Sequence, residues 1–127
     1  MEHKGTVTLQ SPRLELRRFE LSDAEAMFSN WASDPEVTRY LTWQPHASVD
    51  ATRALLSEWT SRYDEPDYYM WAITLCETGE LTGSISVVGW PFDERCPEIG
   101  YCIGRAWWHQ GITSEALATV IDFLFGE

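Results

Sequence analysis

The stretch RAWWHQGITSEAL (105–117) places two tryptophans before a glycine turn and a helix-forming run. The preceding EIGYCI predicts a β-strand, and an apolar stripe predicts a helix over 114–125. Backbone N–H groups at the start of such a helix are unpaired and bind anions. Gly111 allows a ligand to approach the backbone closely, and Thr113 and Ser114 add hydroxyl donors. The stretch is therefore a candidate phosphate site, although such a turn in isolation is more often an ordinary strand-to-helix connection.

Two segments earlier in the chain predict more of a sheet. YYMWAITLC and LTGSISVVGW flank the turn ETGE, which is a pattern typical of a β-hairpin. Near the N-terminus, TVTLQSPRLELRRF alternates apolar and charged residues. This alternation predicts one strand, in which Pro12 marks a kink or an edge.

Helical segments are predicted between the first strand and the hairpin, including a short one at SDPEVTRYL, where Ser33 or Asp34 precedes Pro35 in the first turn. In LSDAEAMFSNWAS, Ser22 is followed three residues later by Glu25, a capping box that places a helix start there. Ser48 is the predicted cap of VDATRALLSEWTSRY, in which large apolar side chains recur at helical spacing. The resulting order, β-α-α-β-β-β-α, indicates an α/β (α+β) domain.

The composition fits one globular domain over residues 1–127, with 44% hydrophobic and 23% charged residues. Twenty acidic residues against nine basic ones give a net charge of −11. This charge disfavours nucleic acid and anionic membranes as partners, and it attracts cationic amines or basic peptides. The alternative is that the acidity only maintains solubility.

The cysteines predict neither a disulfide framework nor a metal site. Cys76, Cys96 and Cys102 are odd in number and form no CxxC pair. A reducing, cytoplasmic location is expected. The first ten residues contain no apolar run typical of a signal peptide, and no stretch reaches membrane-spanning length.

Three segments, in this order, resemble the GNAT superfamily of acetyl-CoA-dependent N-acetyltransferases. The nearest resemblance is to the RimJ/RimL branch, which acetylates ribosomal-protein N-termini. SPRLELRRFELSDAEAMFSNWASDPEVTRYL is similar to the opening strand and helices, ETGELTGSISV to the central hairpin, and PEIGYCIGRAWWHQGITSEAL to the fourth strand, pyrophosphate loop and next helix. Trp108 stands where the loop pattern of the superfamily has Gln or Arg, and Gly111 matches its first glycine.

The resemblance implies a mostly antiparallel sheet flanked by helices, with acetyl-CoA as the acetyl donor and no metal. Backbone groups of Cys102 and Ile103 would pair with the pantetheine arm as with an added strand. Trp107 and Trp108 would pack beneath the loop and fix its geometry. Backbone amides of the loop would hold the pyrophosphate: His109, Gln110, Gly111, Ile112, Thr113 and Ser114.

Glu98 is the predicted catalytic base. An alkyl ammonium group titrates near ~10, so a base must remove its proton at neutral pH. Histone-acetylating members of the superfamily use a glutamate at the matching strand position, and the alternative is that Glu98 is a solvated charge at a strand start. A backbone N–H at Cys102 or Ile103 would hold the oxyanion. Direct transfer is expected rather than an acyl-cysteine intermediate on Cys102, and no general acid is assigned.

The acceptor is predicted to be a primary amine, of a protein N-terminus or of a small molecule. Four aromatic residues stand at family positions that line an acceptor pocket, although core packing is the commoner role of such rings: Tyr40, Trp43, Tyr69 and Trp71. Two alternatives to an enzyme remain. One is an acyl-CoA-binding module without catalysis, and the other is an interaction domain that keeps only the fold.

Members of the superfamily continue beyond the helix that closes this sequence, with a strand, a helix and two more strands. The resemblance therefore implies a domain that is incomplete at its C-terminal end. The outer edge of the EIGYCI strand would then lack a neighbour, and an open edge pairs readily with another strand. A homodimer through that edge is one expected outcome.

Overall fold

Five strands form one sheet, in which every neighbouring pair is antiparallel and the order is β1-β2-β3-β4-β5. The structure is a computed structural model that describes residues 5–35, 46, 48–65, 68–89, 98–108 and 110–125. The predicted mixed fold with a mostly antiparallel sheet is confirmed. The strands are β1 (Leu9–Gln10), β2 (Leu14–Arg17), β3 (Tyr69–Leu75), β4 (Leu81–Gly89) and β5 (Glu98–Ile103).

The N-terminal segment that predicts one strand is in fact a short hairpin. β1 and β2 pair with each other, and the Ser11 N–H donates to the Leu14 carbonyl at 2.9 Å across the turn between them. Pro12 occupies the second position of this turn, where its fixed φ is favourable. The proline therefore reverses the chain rather than kinking a single strand.

The predicted hairpin in the middle of the chain is confirmed as β3 and β4. The turn between them contains Gly79 at φ +77°, a conformation that residues with a Cβ rarely adopt. The helix after β5 is also confirmed. Its start lies at Ile112, two residues before the predicted Ser114, and it runs as α3 (Ile112–Phe125).

Two N-terminal caps are predicted for the helices between β2 and β3, of which one is confirmed and one is wrong. Ser48 caps α2 (Val49–Ser61), and its hydroxyl accepts from the Ala51 N–H. The predicted Ser22–Glu25 box is absent, because the helical segment starts earlier. It begins with a 3-10 turn (Leu21–Asp23), where the Asp23 carboxylate accepts the Glu20 N–H at 2.8 Å. Then follow α1 (Ala24–Met27) and a π-helical turn (Phe28–Ala32).

The sheet separates two hydrophobic clusters. Side chains of the α1–α2 region, including Met27 and Leu56, pack in one cluster. Buried residues of α3, such as Val120, pack against the sheet in the other. β5 supplies Cys102 to the first cluster and Ile103 to the second, as the alternation of a strand requires. The C-terminal end of β5 and the start of α3 are therefore anchored in the core, and the loop between them is held at both ends.

Candidate functional site

A cleft of about 270 Å³ opens where the chain passes from β5 to α3. It brings together five of the six loop residues that the sequence predicts to bind phosphate, and the sixth, His109, lies outside the described residues. The two tryptophans before the loop also face the cleft. The lining residues are Trp107, Trp108, Gln110, Gly111, Ile112, Thr113 and Ser114.

Gly111 and the first turn of α3 line this cleft. Gly111 has φ +77°, which favours glycine. The Glu115 N–H donates to the Gly111 carbonyl at 3.1 Å and makes the first hydrogen bond of α3. The amides of residues 112–114 precede that bond, so they have no partner within the helix. Such amides, at the positive end of the helix dipole, are able to hold an anion.

The two tryptophans fix the base of the cleft. Trp107 is partly buried and packs against the α3-side cluster. Trp108 is 36% exposed, and its Nε1–H donates to the Ile103 carbonyl at 2.8 Å. The loop is thus fastened back onto the end of β5, in agreement with the packing role that the sequence predicts for these rings.

A polar network next to the loop could not be predicted from the sequence, because the residues that it joins lie about a hundred positions apart in the chain. Arg13 donates from Nε to Glu115 at 2.6 Å and from Nη1 to the Gln110 carbonyl at 2.9 Å. The backbone N–H of Arg13 and the hydroxyl of Ser11 donate to the other carboxylate oxygen of Glu115. The turn between β1 and β2 is thereby tied to both sides of Gly111.

This network stabilises the ionised form of Glu115. Burial acts to raise the pKa of its carboxyl group, but the hydrogen bonds from Ser11 and Arg13 and the Arg13 charge outweigh burial and lower the pKa. Glu115 is therefore ionised at neutral pH. Its negative charge lies in the first turn of α3, next to the amides that face the cleft.

β5 forms an open edge of the sheet within the described part of the chain. The Gly104 N–H donates to the Thr82 carbonyl on β4 at 2.8 Å. Because antiparallel residues alternate between bonding their partner and facing away, the backbone groups of Cys102 face β4 and those of Ile103 face outward. Of the two residues predicted to offer a backbone N–H to a ligand, the ladder favours Ile103.

Neither the position nor the protonation state of Cys102 suits a nucleophile. Its side chain is buried in the α1–α2 cluster, and burial raises the pKa of its thiol to about 12. The thiolate is the nucleophilic form of cysteine, so Cys102 is unreactive at neutral pH. This fits direct transfer.

Glu98 begins β5, and its backbone pairs with Gly89. The β4 register shifts between Val87 and Gly89, opposite this position, and such bulges are over-represented beside active sites. The Glu98 side chain lies outside the described part of the chain, as do Tyr40 and Trp43. Their roles stay predictions.

Tyr69 and Trp71 have a position that does not fit the predicted acceptor pocket. Their exposed fractions are 1% and 0%, and the two rings stack on each other at 5.7 Å between centroids. Both rings also contact Phe123 of α3 edge-on, and the Trp71 Nε1–H donates to the Val7 carbonyl at 2.7 Å. These residues belong to the core, and no surface is left on them for a substrate.

The described residues offer neither a metal-binding cluster nor a membrane-spanning helix. They contain no group of three or more His, Cys, Asp and Glu residues arranged to hold a metal ion. Among the same residues, no helix has the length and apolar character needed to cross a membrane.

Comparison with known proteins gives a family match over most of the chain. A family model described as "Acetyltransferase (GNAT) domain" matches residues 13–127. A curated protein from Bacillus licheniformis, named uncharacterized N-acetyltransferase p20, is 35% identical over 118 residues. That alignment covers 93% of this chain and 66% of p20, so the chain spans just under two thirds of this relative's length.

Solved structures share the fold. An acetyltransferase of the GNAT family from Bacillus anthracis matches with a TM-score of 0.79 at 23% identity, over 94% of this chain and 67% of that one. RimL, a ribosomal L7/L12 alpha-N-protein acetyltransferase in complex with coenzyme A, matches with a TM-score of 0.75 at 22% identity, over 92% and 67%. At these identities the likeness establishes the fold.

Proposed function

Because this chain belongs to the Acetyltransferase (GNAT) domain family, we propose that it acts as an acetyl-CoA-dependent N-acetyltransferase on a primary amine. The proposal concerns the whole protein, since the chain spans 66% of the length of its relative p20. The observation that carries it is the cleft between β5 and α3, whose lining includes the loop residues that the family resemblance assigns to pyrophosphate.

The cleft suits a phosphate group on three grounds. The amides of residues 112–114 have no partner within the helix, and the adjoining Gly111 lines the cleft without a side chain. Thr113 and Ser114, which carry hydroxyl groups, are among the lining residues. Trp107 and Trp108 complete the lining, and charge-assisted hydrogen bonds from amides to a phosphate are among the stronger hydrogen bonds in proteins.

The open edge of β5 supports a place for the pantetheine arm. An extended chain with amide groups binds a free strand edge as an added strand does. The outward N–H of Ile103 offers a donor there, whereas the Ile103 carbonyl already accepts from Trp108. When bound, acetyl-CoA supplies the activated thioester. The edge of β5 orients its arm, and the loop holds its phosphates.

In the proposed reaction, the amine nitrogen attacks the thioester carbonyl carbon. A carbon–nitrogen bond forms, the carbon–sulfur bond breaks, and the sulfur leaves with its electron pair as the thiolate. Glu98 accepts the proton from the ammonium group, directly or through a water, so that the attacking nitrogen is neutral. The nitrogen loses a second proton, to the leaving thiolate or to water, as the amide forms. An outward N–H at β5, of which Ile103 is the best-placed example, stabilises the negative charge on the carbonyl oxygen.

The acceptor belongs to the class of primary amines. The net charge of −11 attracts cationic molecules, and an amine is cationic at neutral pH. RimL, which shares the fold, is a ribosomal-protein acetyltransferase by its name. We therefore propose protein N-termini and small cationic amines as the first acceptors to examine.

A thiol-release assay tests this function. The protein is mixed with acetyl-CoA, and free thiol is followed while a panel of amines is added, including N-terminal peptides and polyamines. We expect saturable binding of acetyl-CoA and thiol release that depends on one class of amine. Binding without release for every amine would reduce the protein to an acyl-CoA-binding module, and the absence of binding would refute the cofactor assignment.

A further inference from the structure

We propose that Arg13 is a positioning residue for the phosphate end of the cofactor, and that it works by neutralising Glu115 and holding it away from the cleft. This inference rests on the proposed function. Arg13 does not line the cleft. It reaches the loop from behind, through hydrogen bonds to Glu115 and to the Gln110 carbonyl.

The need for such a residue follows from the position of Glu115. A carboxylate in the first turn of a helix competes for the same dipole field as a bound anion, and it repels that anion. The Glu115 side chain is 18% exposed and ionised, and it is fixed within the turn that supplies the cleft amides. Without a counter-charge, the Glu115 carboxylate would repel a phosphate at residues 112–114 and lower the affinity for it.

Arg13 meets this need in two ways. Its guanidinium group forms an ion pair with the Glu115 carboxylate, with 2.6 Å between Arg13 Nε and Glu115 Oε1. The hydrogen bonds from Ser11 and from the Arg13 backbone N–H hold the second carboxylate oxygen toward the β1–β2 turn. Every donor to Glu115 named here therefore lies outside the group of residues that lines the cleft.

The guanidinium group also stands close to the loop glycine. A Cβ placed on Gly111 would lie 3.3 Å from Arg13 Nη2. Nη2 donates no hydrogen bond to the described residues, and half of the Arg13 side chain is exposed. The guanidinium group thus lies next to the loop glycine as well as to Glu115.

The test compares a charged ligand with a neutral one. Coenzyme A carries the phosphates, and acetylpantetheine carries the same arm without charge. In Arg13→Gln, we expect the affinity for coenzyme A to fall by roughly tenfold, the scale of one uncompensated charge at a helix start. The affinity for acetylpantetheine should stay within about twofold of wild type, because a neutral ligand does not sense the exposed carboxylate.

A second change isolates the role of Glu115. Glu115→Gln added to Arg13→Gln removes the uncompensated carboxylate, so the double variant should recover most of the lost affinity for coenzyme A. Arg13→Lys keeps the positive charge and should lie nearer to wild type than Arg13→Gln. It also serves as the working variant if Arg13→Gln unfolds, which thermal melting of each protein would reveal.

The outcomes separate this inference from the function beneath it. If wild type fails to bind coenzyme A, the proposed function fails. If wild type binds and Arg13→Gln binds equally well, the positioning role is refuted. An equal loss for both ligands, or no recovery in the double variant, refutes charge neutralisation by Arg13. A selective loss that the second change reverses establishes it.

Discussion

The indole Nε1–H of Trp108 donates a 2.8 Å hydrogen bond to the backbone carbonyl of Ile103. This bond joins the loop that borders the cleft to the last residue of β5. It occupies an outward carbonyl of the open strand edge and leaves the outward N–H of the same residue for a ligand. The cleft and the strand edge are therefore contiguous, and we propose that they form one binding surface.

Trp108→Phe removes this hydrogen bond but retains a ring. We expect the affinity for acetyl-CoA to fall about threefold to tenfold, since a neutral hydrogen bond contributes about 1 kcal/mol. Calorimetric titration measures the change. Trp59→Phe is the matched control, because Trp59 packs in the cluster on the other face of the sheet. An unchanged affinity in folded Trp108→Phe would mean that the loop does not need this bond.

The extent to which the site could be predicted depends on how local its determinants are. The loop, the helix after it and the β3–β4 hairpin follow from glycines and spacings within one short stretch. Arg13 and Glu115 lie 102 positions apart in the sequence, so no local pattern predicts that they pair. For Tyr69 and Trp71, the sequence leaves both an acceptor pocket and core packing open, because a strand sequence does not reveal which face α3 will cover.

The helix cap shows the same limit on a smaller scale. Ser22 and Glu25 satisfy the capping pattern, yet the Asp23 carboxylate accepts the Glu20 N–H and also two hydrogen bonds from Arg17, each at 2.9 Å. Arg17 lies on β2, so the competing cap is stabilised by a contact between elements. Charge-assisted bidentate pairing of this kind outweighs a local hydroxyl cap.

Gly111→Ala and Gly79→Ala form a matched pair. Both glycines have φ +77°, so each substitution should lower the free energy of unfolding by about 1–2 kcal/mol. Only Gly111→Ala places a methyl group on a residue that lines the cleft, where it would lie 3.3 Å from Arg13 Nη2, and it should weaken acetyl-CoA binding by roughly tenfold. Equal binding by the two variants would remove the loop from the cofactor site.

Glu98→Gln should lower turnover by ~10²- to 10⁴-fold at neutral pH and leave acetyl-CoA affinity unchanged. The loss should shrink as the pH approaches ~10, where free amine becomes abundant without a base. The pH profile of the thiol-release rate measures this. Glu77→Gln, at an exposed position in the β3–β4 turn, is the control. Turnover equal to wild type at neutral pH would assign the base to another residue.

Iodoacetamide should label Cys76 and spare Cys102 in the folded protein. Cys76 is exposed, whereas Cys102 is buried with a thiol pKa of about 12. Because a raised pKa keeps the thiol protonated below that value, labelling at pH 8 should reach Cys102 only after unfolding. Mass spectrometry of peptides resolves the two sites. Rapid labelling of native Cys102 would reopen the route through an acyl-cysteine.

The most direct test of the central claim is amide hydrogen exchange with and without acetyl-CoA. We predict protection of the outer edge of β5 over residues 99–103 and of the loop over residues 110–115. The β3–β4 turn over residues 76–80 should exchange at the same rate in both samples. Protection confined to another region, or no change with saturating acetyl-CoA, would contradict the assignment of this cleft to the cofactor.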